Sequence, residues 1–166
     1  MNITQNHIYN RNMEEVLSLF GDAQFMQKKY TALGAKNIKI RKLLKTDNSL
    51  TIDTRREVPV SDNTPSVIKR FIGERNRTRQ KEEWSKQGNC WQCQLSVDIS
   101  GVPARIKGSM VLSPTEAGCE NRISITIDSS IPFIGETLCR FIGDNMTPLI
   151  EQEYTLFKDE LNLVAA

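Results

Sequence analysis

The segment from Gly135 to Leu163 constrains this chain most, because it is long and has the pattern of an amphipathic helix. Apolar residues recur there in steps of three and four, which places most of them on one side of an α-helix. A helix of this length spans roughly 40 Å, so its apolar side needs a large surface to pack against. The apolar positions are Leu138, Phe141, Ile142, Met146, Leu149, Ile150, Phe157 and Leu161.

The preceding sequence predicts that this surface is an antiparallel sheet. Apolar and polar residues alternate in most of the predicted strands, and the turn signals at Thr46–Asn48 and Lys86–Asn89 favour hairpins. Two short helices, capped by Asn12 and Asp22, follow the first strand, and a third is expected at Ser66–Ile72. The predicted strands are residues 3–10, 36–45, 49–58, 76–86, 91–99, 104–112 and 123–127.

Length and composition favour one ordinary globular domain over residues 1–166, with 25% charged and 39% apolar residues. No apolar run approaches the roughly 20 residues that span a membrane. Residues 1–10 lack the positively charged start and apolar middle of a secretory signal, so we expect a cytoplasmic protein with four reduced cysteines. The net charge of +2 is too small to imply a nucleic-acid partner.

This order of elements resembles the helix-grip fold of the START-like (SRPBCC) superfamily, which includes birch-pollen-type allergens, lipid-transfer domains and polyketide cyclases. Three stretches resemble one uncharacterised bacterial branch of it, a domain of unknown function. The first is Gln27–Gly34. The second is Arg56–Val60, followed by Pro65–Gly73 and Glu83-Trp84. The third is Ile131–Glu136, which opens the last helix.

The resemblance implies an α+β helix-grip domain: a seven-stranded curved antiparallel sheet wrapped around the C-terminal helix, with an apolar cavity between them. Such a cavity would bind a lipid, a sterol-like molecule or an aromatic compound. The same residues fit a filled core, because alternation predicts burial and does not reveal a void. The candidate ligand-binding residues are Tyr9, Ile52, Arg56, Ile68, Phe71, Gln80, Glu82, Trp84, Trp91, Cys93, Leu95, Ile106, Met110, Ile125, Leu138, Phe141, Ile142 and Met146.

Polar residues on the inward faces suggest how a ligand could be oriented. Arg56 shares the face of Ile52, and Glu82 shares the face of Trp84, so an Arg56–Glu82 pair across the cavity is one expectation. Exposure of both groups by strand twist is the alternative. Two other functions stay open: a cyclase- or dehydratase-like enzyme using Tyr9, Arg56 or Glu82, and an interaction module that binds no ligand. No catalytic residue is assigned, and the oligomeric state is left open.

Metal, redox and hydrolase chemistry have little support. Cys90 and Cys93 lie three residues apart on a strand, so their side chains point to opposite faces. A zinc ion needs two further ligands, and we expect neither a metal nor a cofactor. His7 is the only histidine; a surface or edge position is expected for it, and a place in the cavity beside Tyr9 is the alternative.

A basic stretch runs from Lys69 to Lys81. Phe71 is the only aromatic residue within it, so the stretch does not resemble a stacking platform for nucleic acid, and we expect a solvated face. The apolar residues of 66–72, together with Lys69 and Arg70, suggest a lid over the cavity mouth that makes transient contact with an anionic membrane.

Overall fold

A computed structural model describes residues 1–73 and 75–164, the last without its side chain. Within these residues the chain forms seven strands and four helices. The elements are β1 (Asn2–Tyr9), α1 (Met13–Phe20), α2 (Ala23–Ala32), β2 (Lys36–Lys45), β3 (Ser49–Pro59), α3 (Ser66–Lys69), β4 (Arg75–Gln87), β5 (Cys90–Ile99), β6 (Arg105–Pro114), β7 (Cys119–Asp128) and α4 (Gly135–Val164).

The strands form one curved antiparallel sheet in the order β1-β7-β6-β5-β4-β3-β2. Hairpins connect neighbouring strands from β2 to β7, apart from the longer β3–β4 connection that contains α3. The first strand pairs with the last, so α1 and α2 carry the chain from one edge of the sheet to the other. This arrangement confirms the predicted α+β fold: a seven-stranded antiparallel sheet, two short helices after the first strand, and a long C-terminal helix.

The predicted helix caps are present in the structure. Asn12 accepts a hydrogen bond from the Glu15 amide at 2.9 Å, and Asp22 accepts one from the Phe25 amide at 2.7 Å. Each side chain satisfies a backbone donor that the first helical turn leaves unpaired. Gly34 follows α2 with φ +85°, a backbone conformation that glycine adopts without steric penalty.

Two boundaries differ from the sequence prediction by three residues or more, and the others by at most two. Strand β7 begins at Cys119 rather than at residue 123, because Cys119 and Asn121 continue its buried face. A polar residue at an inward position hides that continuation from a hydrophobicity pattern. Helix α3 ends at Lys69 rather than at Ile72, although the Ile72 amide still donates to the Ile68 carbonyl at 3.3 Å in the turn that follows.

Helix α4 lies on the concave side of the sheet and is fixed at both ends of its apolar stripe. Near its start Leu138 is buried, and near its end Phe157 packs against Phe20 and Phe25 with ring centroids 5.0 Å apart in each case. The Tyr154 hydroxyl accepts a hydrogen bond from the Ile8 amide at 2.9 Å and donates one to the Ile8 carbonyl at 2.6 Å. The helix is thereby tied to edge strand β1. None of the helices in the described part of the chain is both long and apolar enough to cross a membrane.

Candidate ligand-binding site

Strand β4 places a column of polar side chains on the concave face of the sheet. Its successive inward positions carry Asn76, Thr78, Gln80 and Glu82, before Trp84 restores the apolar pattern. Its neighbour β5 is apolar at the paired positions. The cross-strand pairs are Thr78 with Ile99, Gln80 with Val97, Glu82 with Leu95 and Trp84 with Cys93. A polar strip therefore runs through an otherwise apolar wall beneath α4.

Hydrogen bonds connect this column to strand β3. Arg56 Nη2 donates to Gln80 Oε1 at 3.0 Å, and Gln80 Nε2 donates to Glu82 Oε1 at 2.7 Å. Trp84 Nε1 donates to the second Glu82 oxygen at 3.0 Å. The Arg56 guanidinium also lies over the Tyr30 ring, 4.1 Å from its centroid. These contacts hold the polar side chains in fixed orientations.

The expected direct pair between Arg56 and Glu82 does not form. Arg56 lies opposite Thr78 in the β3–β4 register, and Glu82 is four residues further along β4. At about 3.3 Å per strand residue the two positions are about 13 Å apart. Gln80 fills the gap, accepting from the arginine and donating to the carboxylate.

An ion pair between α2 and α4 lies beside this chain. Lys29 Nζ is 2.6 Å from Glu153 Oε1, with the lysine side chain 5% exposed and the glutamate 26%. Burial lowers the pKa of Lys29, but the Glu153 carboxylate, with smaller contributions from Tyr30 and Glu82, raises it, and the net pKa lies above its ordinary value. Lys29 is therefore a buried cation with its own counter-ion.

An inner cavity of about 100 Å³ lies between these groups and the sheet. Aromatic rings form much of its wall, and the Lys29–Glu153 pair and Glu82 contribute charged groups. Its volume accommodates about three waters at roughly 30 Å³ each. Its lining residues are His7, Tyr9, Phe20, Met26, Lys29, Tyr30, Ile52, Gln80, Glu82, Trp84, Leu95, Val97, Met110, Asn121, Ile123, Ile125, Met146, Ile150, Glu153, Tyr154 and Phe157.

A larger outer cleft of about 410 Å³ adjoins this cavity. Strands β3 to β5, the connection after β3 and the middle of α4 enclose it, and both hollows share Gln80, Val97, Met146, Ile150 and Glu153. Most of its other lining residues are apolar, and Arg56, Ser61, Asn76, Thr78 and Asn145 supply the remaining polar groups. The apolar lining residues are Leu33, Val58, Pro59, Val60, Ile72, Ile99, Val102, Phe141, Ile142, Pro148 and Leu149.

Twelve of the candidate residues chosen from the sequence line one or both hollows. Those at the inner cavity are Tyr9, Ile52, Gln80, Glu82, Trp84, Leu95, Met110, Ile125 and Met146. Those at the outer cleft are Arg56, Gln80, Phe141, Ile142 and Met146. The others lie outside both hollows: Ile68, Phe71, Trp91, Cys93, Ile106 and Leu138. Five of these six are core side chains at most 2% exposed, and Phe71 is half-buried; an inward position alone did not separate packed residues from lining ones.

The sequence analysis missed Lys29 and Glu153, although both occupy positions on apolar stripes. Lys29 follows Phe25 and Met26 by four and three residues. Glu153 follows Ile150 by three residues and precedes Phe157 by four. A charged residue at such a position is either exposed by a local turn or buried with a partner. That signal marks each residue, but it does not pair two residues that lie 124 positions apart in the sequence.

His7 lies on the edge strand β1, as expected, but it is buried rather than at the surface, and it lines the inner cavity with Tyr9, which was the alternative. Its side chain is 5% exposed, its ring stacks on Tyr154 with centroids 4.1 Å apart, and Nε2 lies 2.7 Å from Gln5 Oε1. Burial lowers the pKa of His7, partly offset by Glu151 and Glu153. The ring thus lines the inner cavity as a predominantly neutral group at neutral pH.

The remaining titratable groups do not assemble a metal centre. All four cysteines are free thiols, and within residues 1–73 and 75–164 no cluster of three or more histidine, cysteine or acidic side chains is placed to hold an ion.

The basic stretch forms the expected solvated face. There Arg79 pairs with Asp53 at 2.7 Å and Arg75 with Glu57 at 3.1 Å.

These features define an α+β protein in which one curved antiparallel sheet and a long C-terminal helix enclose an interior hollow. The chain matches a family described as "Protein of unknown function (DUF2505)" over residues 4–161. It belongs to that family.

Two mycobacterial relatives share part of the sequence. They are uncharacterized protein Rv0481c of Mycobacterium tuberculosis and uncharacterized protein Mb0491c of Mycobacterium bovis, each 32% identical over 101 residues. The match covers 57% of this chain and 58% of each relative. The chain therefore spans less than two thirds of the length of these relatives.

Solved structures share the fold at low sequence identity. TTHA0849 from Thermus thermophilus superposes with a TM-score of 0.68 at 13% identity, covering 100% of both chains. A protein from Rhodobacter sphaeroides gives 0.56 at 10% identity, covering 98% of this chain and 93% of its own. A conserved protein from Geobacillus kaustophilus gives 0.54 at 15%, covering 98% and 95%. At such identities the likeness concerns the fold alone.

Proposed function

We propose that this protein binds a hydrophobic small molecule in the outer cleft, and that its family is a branch of the START-like superfamily. The outer cleft carries the proposal. Its volume of about 410 Å³ lies in the range of roughly 300–1,000 Å³ that small-molecule sites occupy. The inner cavity alone, at about 100 Å³, is too small for a lipid or an aromatic polycycle.

The composition of the cleft wall supports an apolar ligand with few polar groups. The α4 side contributes Phe141, Ile142 and Leu149, and the sheet side contributes Val97 and Ile99. Apolar walls of this kind stabilise a bound molecule in proportion to the apolar area removed from water, at roughly 25 cal/mol per Å². The polar column on β4 supplies the few oriented groups that fix a ligand's position.

Two measurements test this function. Solvent extraction of the purified protein, followed by mass spectrometry, is expected to release a hydrophobic compound. Titration with N-phenyl-1-naphthylamine, a neutral apolar dye that fluoresces when it leaves water, is expected to show saturable binding. An extract without such a compound, combined with no dye binding, contradicts the proposal and favours the interaction module.

A cavity-filling variant locates the binding. Met146 lines both hollows, so Met146→Trp is expected to weaken dye binding at least tenfold by occupying their junction. Leu44→Trp is the matched control, because Leu44 is 53% exposed on β2 and lines neither hollow. Equal dye affinity in both variants would place the dye elsewhere.

We also propose that residues 66–72 make transient contact with an anionic membrane. In the folded chain Ile68 and Ile72 are buried, and Lys69 and Arg70 are exposed. Ile72 lines the outer cleft, so the two basic residues lie close to its rim, and their exposure and charge support the proposal. Co-flotation with phosphatidylglycerol vesicles, but not with phosphatidylcholine vesicles, is expected, and Lys69→Glu/Arg70→Glu should abolish it.

The free thiols support a reducing compartment, the cytoplasm, as the proposed location.

A further inference from the structure

The two interior cations differ in how their charge is balanced. Lys29 is in contact with Glu153 at 2.6 Å. Arg56 has no carboxylate within salt-bridge distance among the described residues, and it reaches Glu82 only through the neutral Gln80 amide. Its Nη1 atom is buried and has no hydrogen-bond partner there. Buried donors are nearly always paired in native proteins, so this guanidinium is available to an acceptor from outside the chain.

A second buried polar atom belongs to a neighbouring residue of the same cleft. Asn76 Oδ1 is buried without a hydrogen-bond partner in the described structure. Asn76 is a diagonal neighbour of Arg56, because Arg56 lies opposite Thr78 and Asn76 is two residues from Thr78 on β4. Such neighbours are about 7–8 Å apart at the backbone, and both residues line the outer cleft.

The geometry points to a ligand with a carboxylate head group, bound by the Arg56 guanidinium while its apolar body lies along α4. This inference rests on the proposed function and names the ligand class for the same cleft. A carboxylate is one of the acceptors that a guanidinium binds strongly, through charge-assisted hydrogen bonds.

The other charged side chain of the cleft favours a single negative charge on the ligand. Glu153 also lines the outer cleft, and its charge is matched by Lys29. A dianionic phosphate would add a second negative charge near Glu153 without a further cation to balance it. A monoanionic carboxylate adds the smallest negative charge that can pair directly with Arg56, which reaches the Glu82 carboxylate only through Gln80.

Displacement of N-phenyl-1-naphthylamine by three ligands of equal chain length tests the head group. At a pH of about 7.5, decanoic acid is ionised, decan-1-ol is neutral and decylamine is cationic. We expect the acid to displace the dye at a concentration about 10- to 100-fold below that of the alcohol, because a hydrogen bond to a charged group is worth that factor. The amine is expected to displace it least well.

Two arginine variants assign the effect to one side chain. Arg56→Gln is expected to remove the difference between acid and alcohol while dye binding persists, and Arg56→Lys to retain part of it. Arg55→Gln is the matched control: Arg55 is the preceding residue of β3 and is exposed on the opposite face. Thermal unfolding of each variant verifies that it is folded.

The outcomes separate this inference from the function on which it rests. If the dye binds but acid and alcohol displace it equally, or the amine displaces it best, the carboxylate inference is overturned and the hydrophobic-ligand function stands. A loss of acid preference in Arg55→Gln as large as in Arg56→Gln also overturns it. If neither dye nor any of the three ligands binds, the proposed function itself fails.

Discussion

The ion pair between α2 and α4 makes a strong prediction about stability. Lys29→Met removes the ammonium group and keeps an unbranched apolar side chain. Glu153 then remains as a half-buried carboxylate without its partner at 2.6 Å. Removing one member of a buried pair costs about 3–5 kcal/mol. The Glu153 side chain is 26% exposed. We therefore expect the lower end of this energy range, a loss of about 3 kcal/mol in the free energy of unfolding.

Urea denaturation followed by tryptophan fluorescence measures this loss, and a thermal scan should show a fall in Tm of roughly 6–12 °C. Lys28→Met is the matched control. Lys28 is the preceding residue, its side chain is 61% exposed, and it pairs with Glu160 at 2.8 Å on the surface. Exposed pairs of this kind contribute at most about 1 kcal/mol, so the control should lie close to the wild type.

The double variant Lys29→Met/Glu153→Met separates the unpaired charge from lost packing. Replacing both members by apolar residues removes the buried charge, so most of the stability should return. The reasoning is refuted if Lys29→Met and Lys28→Met lose equally little stability. It is also refuted if the double variant is as unstable as Lys29→Met, since the loss would then come from packing.

The same pair has a defined dependence on pH. The net pKa of Lys29 is raised in the folded protein. A pKa that is raised on folding stabilises the protein fully at pH values below the pKa of the unfolded chain, about 10.4 for lysine. This stabilisation is lost as the pH rises through the pKa of the folded protein. The stability difference between wild type and Lys29→Met is therefore expected to stay constant from about pH 7 to 9 and to narrow in more alkaline solution.

Three further predictions follow from individual side chains. Burial lowers the pKa of His7, so stability should fall as pH drops below about 6.5, and His7→Phe should flatten that slope in urea denaturation between about pH 7 and 5. Phe133 is fully exposed with φ 68°, so Phe133→Asn should raise the free energy of unfolding by about 1 kcal/mol; no change would contradict this. With a thiol reagent, half-buried Cys90 should react first and Cys90→Ser should remove that fast phase. Cys93 and Cys119 should react only on unfolding, because burial raises the pKa of both thiols, that of Cys119 to about 11.

The fold could be predicted because local patterns and overall topology agree. The alternation of β5, the caps Asn12 and Asp22, and the hairpin turns each specify one element without reference to the others. Once seven strands and one long apolar helix are expected, few arrangements bury the apolar faces of both. Strand ends were less predictable. At Asn121 a buried polar residue continues β7, whereas the apolar alternation begins only at Ile123.

The site could be predicted only in part. Alternation placed Arg56, Gln80 and Glu82 on the inward face, as observed. It did not give the β3–β4 register, which puts Arg56 opposite Thr78 and inserts Gln80 between the two charges. Nor did it reveal a void, since a buried residue such as Trp91 has the same sequence signature as a lining residue.

The placement of Lys29 and Glu153 bears on why the interior is not filled. Apolar residues at these two positions would continue the apolar sides of α2 and α4. As for the double variant, they would leave the free energy of unfolding close to that of the wild type. Glu153 lines both hollows. Apolar side chains in place of the ion pair would therefore pack into the volume of the hollows. We therefore expect Lys29→Met/Glu153→Met to combine near-normal stability with weakened dye binding. Unchanged dye affinity would show that the outer cleft is shaped independently of the pair.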